Sequence, residues 1–250
     1  MGSMGIEAAV PHAEYKRAVE IGVHAVASRV PLFVGAMDNS VARVKERLAM
    51  IGEGLAIDGV VLTVPFYSPV RECDAIYWFK TLADASPYPI YVYDLPVVTQ
   101  FRISMAVIDA LIGHPNVKGM KSANWELIKA IERKYPDADF ACLYSGLDSF
   151  DHANVLGIGK NLDGMFSCTP KNATAMYACI EKGDIAGARR HLDNILLLRD
   201  TMIAHGLMYC FTHCMNLLGI EGCFHQDYTV PAAKDARDVM AATMRSIGEL

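Results

Sequence analysis

Short runs of apolar, β-branched or aromatic residues recur along the sequence as far as Cys168, at a spacing of roughly 30 residues. Amphipathic stretches lie between these runs, with charged residues on one side and Ala, Ile, Leu or Met on the other. A repeated strand and helix order at this spacing is typical of βαβ units, which build a parallel sheet through right-handed crossovers. This alternation predicts an α/β fold.

Six of these runs have the character of buried strands. They are Pro31–Gly35, Gly59–Pro65, Pro89–Asp94, Val117–Lys121, Phe140–Tyr144 and Asp163–Cys168. The predicted helices between them include Ser40–Ala56, Arg71–Ser86 and Ser104–Gly113. The strand pattern stops after Pro170. The helices predicted beyond that point are Asn172–Lys182, Ile185–His205, Leu207–Leu218 and Ala232–Ile247.

The sequence favours a closed barrel over an open, nucleotide-binding sheet. No glycine-rich phosphate-binding motif follows a predicted strand. The 250 residues match the usual length of a (β/α)8 TIM barrel, which has eight strands. Because only six are predicted and Gly2–Gly5 is typical of a loop leaving a strand, we expect the first two strands to lie upstream. The predicted domains are a barrel at 1–183 and a C-terminal helical extension at 184–250.

Charge and composition exclude several classes of partner. The net charge of -5 provides no attraction for a nucleic-acid backbone. No apolar run reaches the ~18 to 20 residues that a membrane-spanning helix requires. The seven cysteines are dispersed and form no Cys-x-x-Cys pair, which favours a reducing cytoplasm over a disulfide framework. We therefore expect a cytoplasmic protein without nucleic-acid or membrane partners.

Catalytic groups of an α/β barrel lie at the carboxyl ends of its strands, and this rule selects a small set of candidate residues. They are Asp38, Phe66, Tyr67, Tyr93, Asp94, Lys121, Ser145 and Ser167.

Lys121 is a candidate nucleophile. Strand alternation places it on the same face as Val117 and Gly119. If that face looks inward, burial disfavours the charged form of the amine and leaves it free to attack a carbonyl group. Gly119 would then leave room for the long side chain. The alternative is that Lys121 leaves the strand for solvent.

Two tyrosines at strand ends also have two interpretations. Tyr93 closes its strand just before Pro96, where a phenol can carry protons to and from a substrate oxygen. Tyr67 follows the preceding strand. Aromatic residues at strand ends also serve as packing, so the pattern leaves both roles open for each tyrosine.

A metal site is the other chemistry to weigh. The cysteines and histidines of the C-terminal region that could supply ligands are Cys210, His213, Cys214, Cys223 and His225. Their spacing matches no standard zinc ligand set, and cysteine is among the most commonly buried residues. We therefore predict no metal.

Several segments combine, in order along the chain, into the pattern of a known family. They are Gly2–Gly5, Val30–Gly35 with Asn39-Ser40, Asp58–Tyr67, Pro89–Pro96, Gly119–Lys121, Tyr144–Gly146 and Asp163–Ser167. The chain thereby resembles the dihydrodipicolinate synthase / N-acetylneuraminate lyase family of pyruvate-handling barrels over nearly its whole length. The resemblance implies a Schiff-base-forming aldolase or lyase that acts on pyruvate or a sugar-derived 2-oxo acid and needs no cofactor.

The resemblance also implies roles for individual residues. Lys121 corresponds to the imine-forming lysine, and Tyr93 to the phenol beside it. Ser3 corresponds to the hydroxyl that binds the substrate carboxylate and relays protons. Tyr67 corresponds to a tyrosine that reaches into a neighbouring subunit's site, which implies a homodimer or homotetramer.

The substrate-binding positions include departures from the family pattern. Gly146 and Phe166 correspond to residues whose backbone lines the pyruvate pocket. Met4 replaces the second hydroxyl of the first loop, and Asp94 replaces an asparagine beside the phenol. Val98 stands where the synthases carry an arginine for the second substrate's carboxylate, so dihydrodipicolinate synthesis is not expected. The alternative is a catalytically silent or N-terminally truncated barrel relative with a binding role.

Overall fold

The computed structural model describes residues 2–52 and 54–250, apart from the side chain of Lys234. The strands are β1 (Phe33–Gly35), β2 (Gly59–Leu62), β3 (Ile90–Tyr93), β4 (Val117–Ser122) and β5 (Ala141–Tyr144). The α-helices are α1 (His12–Val26), α2 (Val41–Ile51), α3 (Glu72–Ala85), α4 (Pro96–Thr99), α5 (Met105–Leu111), α6 (Trp125–Lys134), α7 (Phe150–Val155), α8 (Pro170–Glu181), α9 (Ile185–His205), α10 (Leu207–Leu217) and α11 (Lys234–Ser246).

The five strands form one parallel sheet in the order β1-β2-β3-β4-β5, so each strand pairs with the next along the chain. The alternation of strands and helices predicted this parallel α/β arrangement, and the first five predicted strands are confirmed. Because all five run in one direction, their carboxyl ends lie at the same edge of the sheet.

The prediction of a strand over Asp163–Cys168 is wrong. Gly164–Ser167 forms a 3-10 helix, and Glu7–Ala9 and Leu147–Ser149 are short helices of the same type. The side chain of Asp163 accepts a hydrogen bond from the N–H of Met165 at 2.8 Å. This local bond gives the backbone an alternative to sheet pairing that an apolar pattern does not reveal.

The helix starts follow from side-chain capping. Ser40, Ser104 and Asn124 precede α2, α5 and α6, and each side chain accepts the N–H of the residue three positions further along. Helix α2 ends earlier than predicted because Gly52 follows it with a φ of 67°, a conformation that glycine adopts without strain.

The chain packs as two compact units. Unit 1 contains residues 2–3 and Glu7–Ser145, and unit 2 contains Met4–Ile6 and Gly146–Leu250. The predicted division into a barrel at 1–183 and a helical extension at 184–250 stays a prediction.

In unit 1 the two faces of the sheet differ. One face carries the apolar core, with Val60, Val92 and Met120 completely buried. The other face carries Tyr91, whose ring lies over Gly119 and would collide with any side chain at that position. The expectation that Gly119 leaves room for Lys121 is therefore wrong, because the ring of Tyr91 occupies that space.

Unit 2 contains the short helix α7 and the helices α8 to α11, and the helical interpretation of the sequence after Pro170 is confirmed. Helix α9 buries Leu192, Ile195 and Leu198. Within the described part of the chain, no helix combines the length and the apolar character needed to cross a membrane.

Candidate active site

The two central side chains of the candidate site come from neighbouring strands. Tyr93 ends β3, and Lys121 is the penultimate residue of β4. The two residues are direct partners in the register of the sheet. Paired residues of adjacent strands project to the same face, so the phenol and the amine both stand on the face opposite the apolar core.

The amine and the phenol are within hydrogen-bond distance. Lys121 Nζ donates to the hydroxyl of Tyr93 at 3.1 Å and lies 4.3 Å from the centre of its ring. Ser3 Oγ lies 3.2 Å from the same hydroxyl. The Tyr93 side chain is buried, Lys121 is half-buried and Ser3 is exposed. We call these three residues the lysine cluster; their spacing permits protons to pass between solvent and the amine.

A second polar cluster anchors the segment that follows Ser3. The backbone N–H of Glu7 donates to Gly2 O at 3.2 Å, which closes the turn that carries Ser3. The carboxylate of Glu7 accepts from the N–H of Met37 at 3.1 Å and forms an ion pair with Arg47.

Arg47 also forms an ion pair with Asp38 at 3.2 Å, and all three charged side chains of Glu7, Asp38 and Arg47 are buried. We call these three residues the arginine cluster. Of its members, only Asp38 was a strand-end candidate. An acidic residue shortly after the loop motif and an arginine on the buried face of α2 are the signals that could have identified the other two.

Burial and charge shift the acids of the arginine cluster in opposite directions. Burial raises the pKa of Glu7 from 4.5 to about 7, although the charge of Arg47 opposes the change. For Asp38 burial also acts to raise the pKa, but hydrogen bonds from Arg43 and the Asn39 N–H, with the charge of Arg47, outweigh it and lower the pKa. Glu7 is therefore the acid of this cluster that titrates near neutrality.

The remaining predicted residues of unit 1, Tyr67 and Asp94, form hydrogen bonds to residues outside the lysine cluster. Tyr67 lies in the loop after β2 and is 88% exposed, and its N–H donates to Asn39 Oδ1 at 2.9 Å. Asp94 is buried, and its carboxylate accepts from Ser122 Oγ at 2.6 Å and from the N–H of Ile103 at 3.1 Å. The predicted roles of Tyr67 and Asp94 in catalysis and substrate binding stay predictions.

Three predicted substrate-binding residues belong to unit 2. Met4 lies against Gly164, where an added Cβ would collide with its side chain. Gly146 precedes the 3-10 helix at Leu147–Ser149, and Phe166 is half-buried in the 3-10 helix that begins at Gly164. Their predicted contribution to a pyruvate pocket stays a prediction.

The cysteine and histidine segment of unit 2 divides into buried and exposed thiols. Burial raises the pKa of Cys214 to about 12 and also raises that of Cys210, which disfavours the thiolate form that binds metals. Cys223 is exposed and lies 3.2 Å from His225 Nε2. Among the side chains described, no three His, Cys, Asp or Glu residues converge on a position for a metal ion.

The structure thus combines a parallel α/β fold with an amine and a phenol that are paired at the ends of neighbouring strands. The Dihydrodipicolinate synthetase family model matches residues 1–247, and the chain belongs to this family. Its members are lyases of the aldolase type.

Individual relatives agree with this assignment. A 4-hydroxy-tetrahydrodipicolinate synthase from Acidiphilium cryptum is 28% identical over 254 residues, which cover 100% of this chain and 86% of the relative. The structure of dihydrodipicolinate synthase from Thermotoga maritima matches with a TM-score of 0.87 and 19% identity, over 100% of this chain and 86% of that chain.

A third relative was solved with a small molecule bound. It is YagE, a prophage protein of the dihydrodipicolinic acid synthase family from E. coli K12, in complex with pyruvate. It matches with a TM-score of 0.86 and 18% identity, over 98% of this chain and 85% of that chain. At these identities the two solved structures establish the likeness of the fold.

Proposed function

We propose that this protein is a class I aldolase-type lyase in which Lys121 forms a Schiff base with pyruvate or a sugar-derived 2-oxo acid. The observation that carries the proposal is the 3.1 Å hydrogen bond between Lys121 Nζ and the hydroxyl of Tyr93, at the strand ends of a chain that belongs to this family. The pyruvate bound to YagE supports a 2-oxo acid as the substrate class.

The proposed chemistry begins with attack of the neutral amine of Lys121 on the carbonyl carbon of the 2-oxo acid. The resulting carbinolamine loses its hydroxyl group as water and leaves a protonated imine, which withdraws electrons from the adjacent carbon. That carbon then loses a proton and attacks an aldehyde, or the same steps in reverse break the carbon–carbon bond. No metal or organic cofactor takes part in these steps.

Tyr93 has the position to move the protons of this sequence. Its hydroxyl contacts both the amine and the hydroxyl of Ser3, so it can protonate the hydroxyl group that departs as water and regain a proton through Ser3. We further propose that Tyr67, which is exposed here, completes the site of a neighbouring subunit in a homodimer or homotetramer.

We also propose that the second substrate differs from that of dihydrodipicolinate synthases, although the curated relatives carry the synthase name. Val98 has no group that can bind a carboxylate, and arginine binds that group through two hydrogen bonds. Met4 removes a hydroxyl from the first loop. These two positions support a lyase, or a related hydro-lyase, with another aldehyde or sugar acid.

The test is reduction of the imine. Pyruvate and borohydride are added to the purified protein, and the tryptic peptides are searched by mass spectrometry for the reduced pyruvate adduct. We expect the adduct on the peptide that contains Lys121 and none in Lys121→Arg. Absence of the adduct at saturating pyruvate would overturn the proposal and favour a catalytically silent barrel relative.

Lys118 provides the matched control. It lies on the same strand, its Nζ forms an ion pair with Asp139 at 2.6 Å, and its side chain is 33% exposed. We expect Lys118→Arg to form the Lys121 adduct at the wild-type rate. An equal loss of the adduct in both variants would attribute the effect to the strand rather than to the amine.

A further inference from the structure

A buried acid and a buried hydroxyl lie directly behind the amine and the phenol. Asp94 follows Tyr93, and Ser122 follows Lys121. Strand alternation turns their side chains to the face that carries the apolar core, opposite to the lysine cluster. Ser122 is completely enclosed, and Asp94 is 4% exposed.

Asp94 and Ser122 connect the ends of the two strands twice. The N–H of Asp94 donates to the carbonyl of Lys121 at 2.9 Å. Ser122 Oγ donates to Asp94 Oδ2 at 2.6 Å, a short bond of the kind that a hydroxyl makes to a charged acceptor. A backbone hydrogen bond and a side-chain hydrogen bond, both made by Asp94, therefore stabilise the strand register that sets Tyr93 beside Lys121.

Each member of the pair also forms a hydrogen bond to the segment that follows its own strand. Asp94 Oδ1 accepts from the N–H of Ile103, which fixes the loop after α4. Ser122 Oγ accepts from the N–H of Asn124 at 2.9 Å, and Asn124 caps the first turn of α6. The pair thus joins β3, β4 and the start of α6.

A carboxylate at position 94 accepts from both donors at once. An asparagine has one acceptor oxygen, so its amide group would face either the hydroxyl of Ser122 or the N–H of Ile103. Among the side chains that the structure describes, no lysine, arginine or histidine forms an ion pair with Asp94. A buried acid without a cation is costly, and these neutral donors are what hold it in place.

We propose that Asp94 and Ser122 are positioning residues that hold Tyr93 and Lys121 at proton-transfer distance. The inference rests on the proposed function, because its kinetic consequence is the rate at which Lys121 forms an imine. It gives Asp94 a role inside the protein instead of contact with the substrate.

The test compares variants by timed borohydride trapping over a range of pyruvate concentrations. We expect Ser122→Ala and Asp94→Asn each to lower the maximal trapping rate by about tenfold or more, since small displacements of reacting groups are costly. The pyruvate concentration at half-maximal rate should change less than the rate. In the double variant the two losses should not multiply, because the residues act as one unit.

Ser86→Ala is the matched control. Ser86 is a buried serine that precedes β3 at its opposite end, and its hydroxyl donates to Tyr88 O at 2.7 Å. We expect this variant to lose comparable stability and to keep the wild-type trapping rate. Equal rate losses in Ser86→Ala and Ser122→Ala, or no loss in Ser122→Ala, would overturn the proposal.

Amide hydrogen exchange separates this inference from the proposed function. Exchange at the N–H of Asp94 reports the bond to Lys121 O without any substrate. We expect faster exchange there in Ser122→Ala and not in Ser86→Ala. If the wild type forms no adduct but this difference appears, the proposed function fails and the positioning stands; if the adduct forms and exchange is unchanged, the positioning fails. If Asp94→Asn does not fold, the trapping rate and amide exchange of Ser122→Ala decide whether the positioning proposal holds.

Discussion

The lysine cluster and the arginine cluster are both polar groups of unit 1 at the carboxyl ends of its strands, but they differ in burial and in charge. Ser3, Tyr93 and Lys121 are linked through one phenol, and two of the three are accessible to solvent. Glu7, Asp38 and Arg47 are linked by ion pairs and are enclosed. Reactive groups must be accessible to a substrate. The ion pairs that anchor the segment after Ser3, by contrast, are stronger when they are shielded from water.

The comparison predicts opposite consequences for substitutions in the two clusters. Changes in the lysine cluster should lower imine formation and leave stability nearly unchanged. Changes in the arginine cluster should lower stability first. The following experiments test this division, and each has a result that would contradict it.

Arg47→Met should have the largest effect. It leaves the buried carboxylates of Glu7 and Asp38 without their shared cation, and removal of one partner from a buried ion pair costs about 3–5 kcal/mol. Urea unfolding measures the loss. Arg71→Met, which removes an exposed ion pair with Asp74, should change the midpoint little. Similar midpoints for the two variants would show that the arginine cluster does not stabilise the protein.

Tyr93→Phe should keep the fold and lower the trapping rate at Lys121 by about 10²-fold, or about 2.7 kcal/mol of activation free energy. The ring remains over the amine, and only the hydroxyl that moves protons is removed. Tyr91→Phe is the control, because Tyr91 lies two residues earlier on the same strand face. Equal rates in these two variants would exclude the phenol of Tyr93 from proton transfer.

Glu7→Gln should change how stability depends on pH. Burial raises the pKa of Glu7 from 4.5 to about 7, so the folded state binds this proton more tightly than the unfolded state. The contribution of Glu7 is therefore fully present below pH 4.5 and is lost as pH rises through about 7, with a slope of at most about 1.4 kcal/mol per pH unit.

The difference in unfolding free energy between the wild type and Glu7→Gln isolates this slope. The charged or titratable groups near Glu7 include Arg47 on α2, Asp38 after β1 and Tyr15 on α1, and they are the same in both proteins. Asp38 has a lowered pKa, so its own contribution changes in the opposite direction, at lower pH. A difference that does not vary between pH 4.5 and 8 would contradict the prediction.

Ser3→Ala should have the smallest effect. It removes one hydrogen bond to Tyr93, and a loss of about 1 kcal/mol corresponds to a trapping rate lower by a factor of about five. Ser3→Thr keeps the hydroxyl and should retain most of the rate. If Ser3→Thr loses as much as Ser3→Ala, the loop conformation rather than the hydroxyl is responsible.

Much of the fold could be predicted because the evidence for it is local. The first five strands and the C-terminal helices follow from the period of apolar residues, which each segment carries independently of its neighbours. The run at Asp163–Cys168 has an apolar pattern too. There the side chain of Asp163 accepts a hydrogen bond from the N–H of Met165, and the segment forms a 3-10 helix. Apolar periodicity does not detect such a bond.

The sequence predicted the lysine cluster, but it did not predict the contacts that hold the cluster in place. Lys121 and Tyr93 stand at strand ends, and the resemblance to the family paired them with Ser3. The arginine cluster joins residues 40 positions apart in sequence, and the partner of Asp94 is 28 positions away. No local pattern links such residues.

The sequence by itself determined that this chain forms parallel strands and places a lysine and a tyrosine where barrel enzymes carry out their chemistry. Only the tertiary structure decided that the ring of Tyr91 fills the space beside Gly119, that Glu7 pairs with Arg47, and that Ser122 holds Asp94. The physical reason is that periodicity fixes which face a side chain occupies, whereas the register between strands fixes which side chains meet.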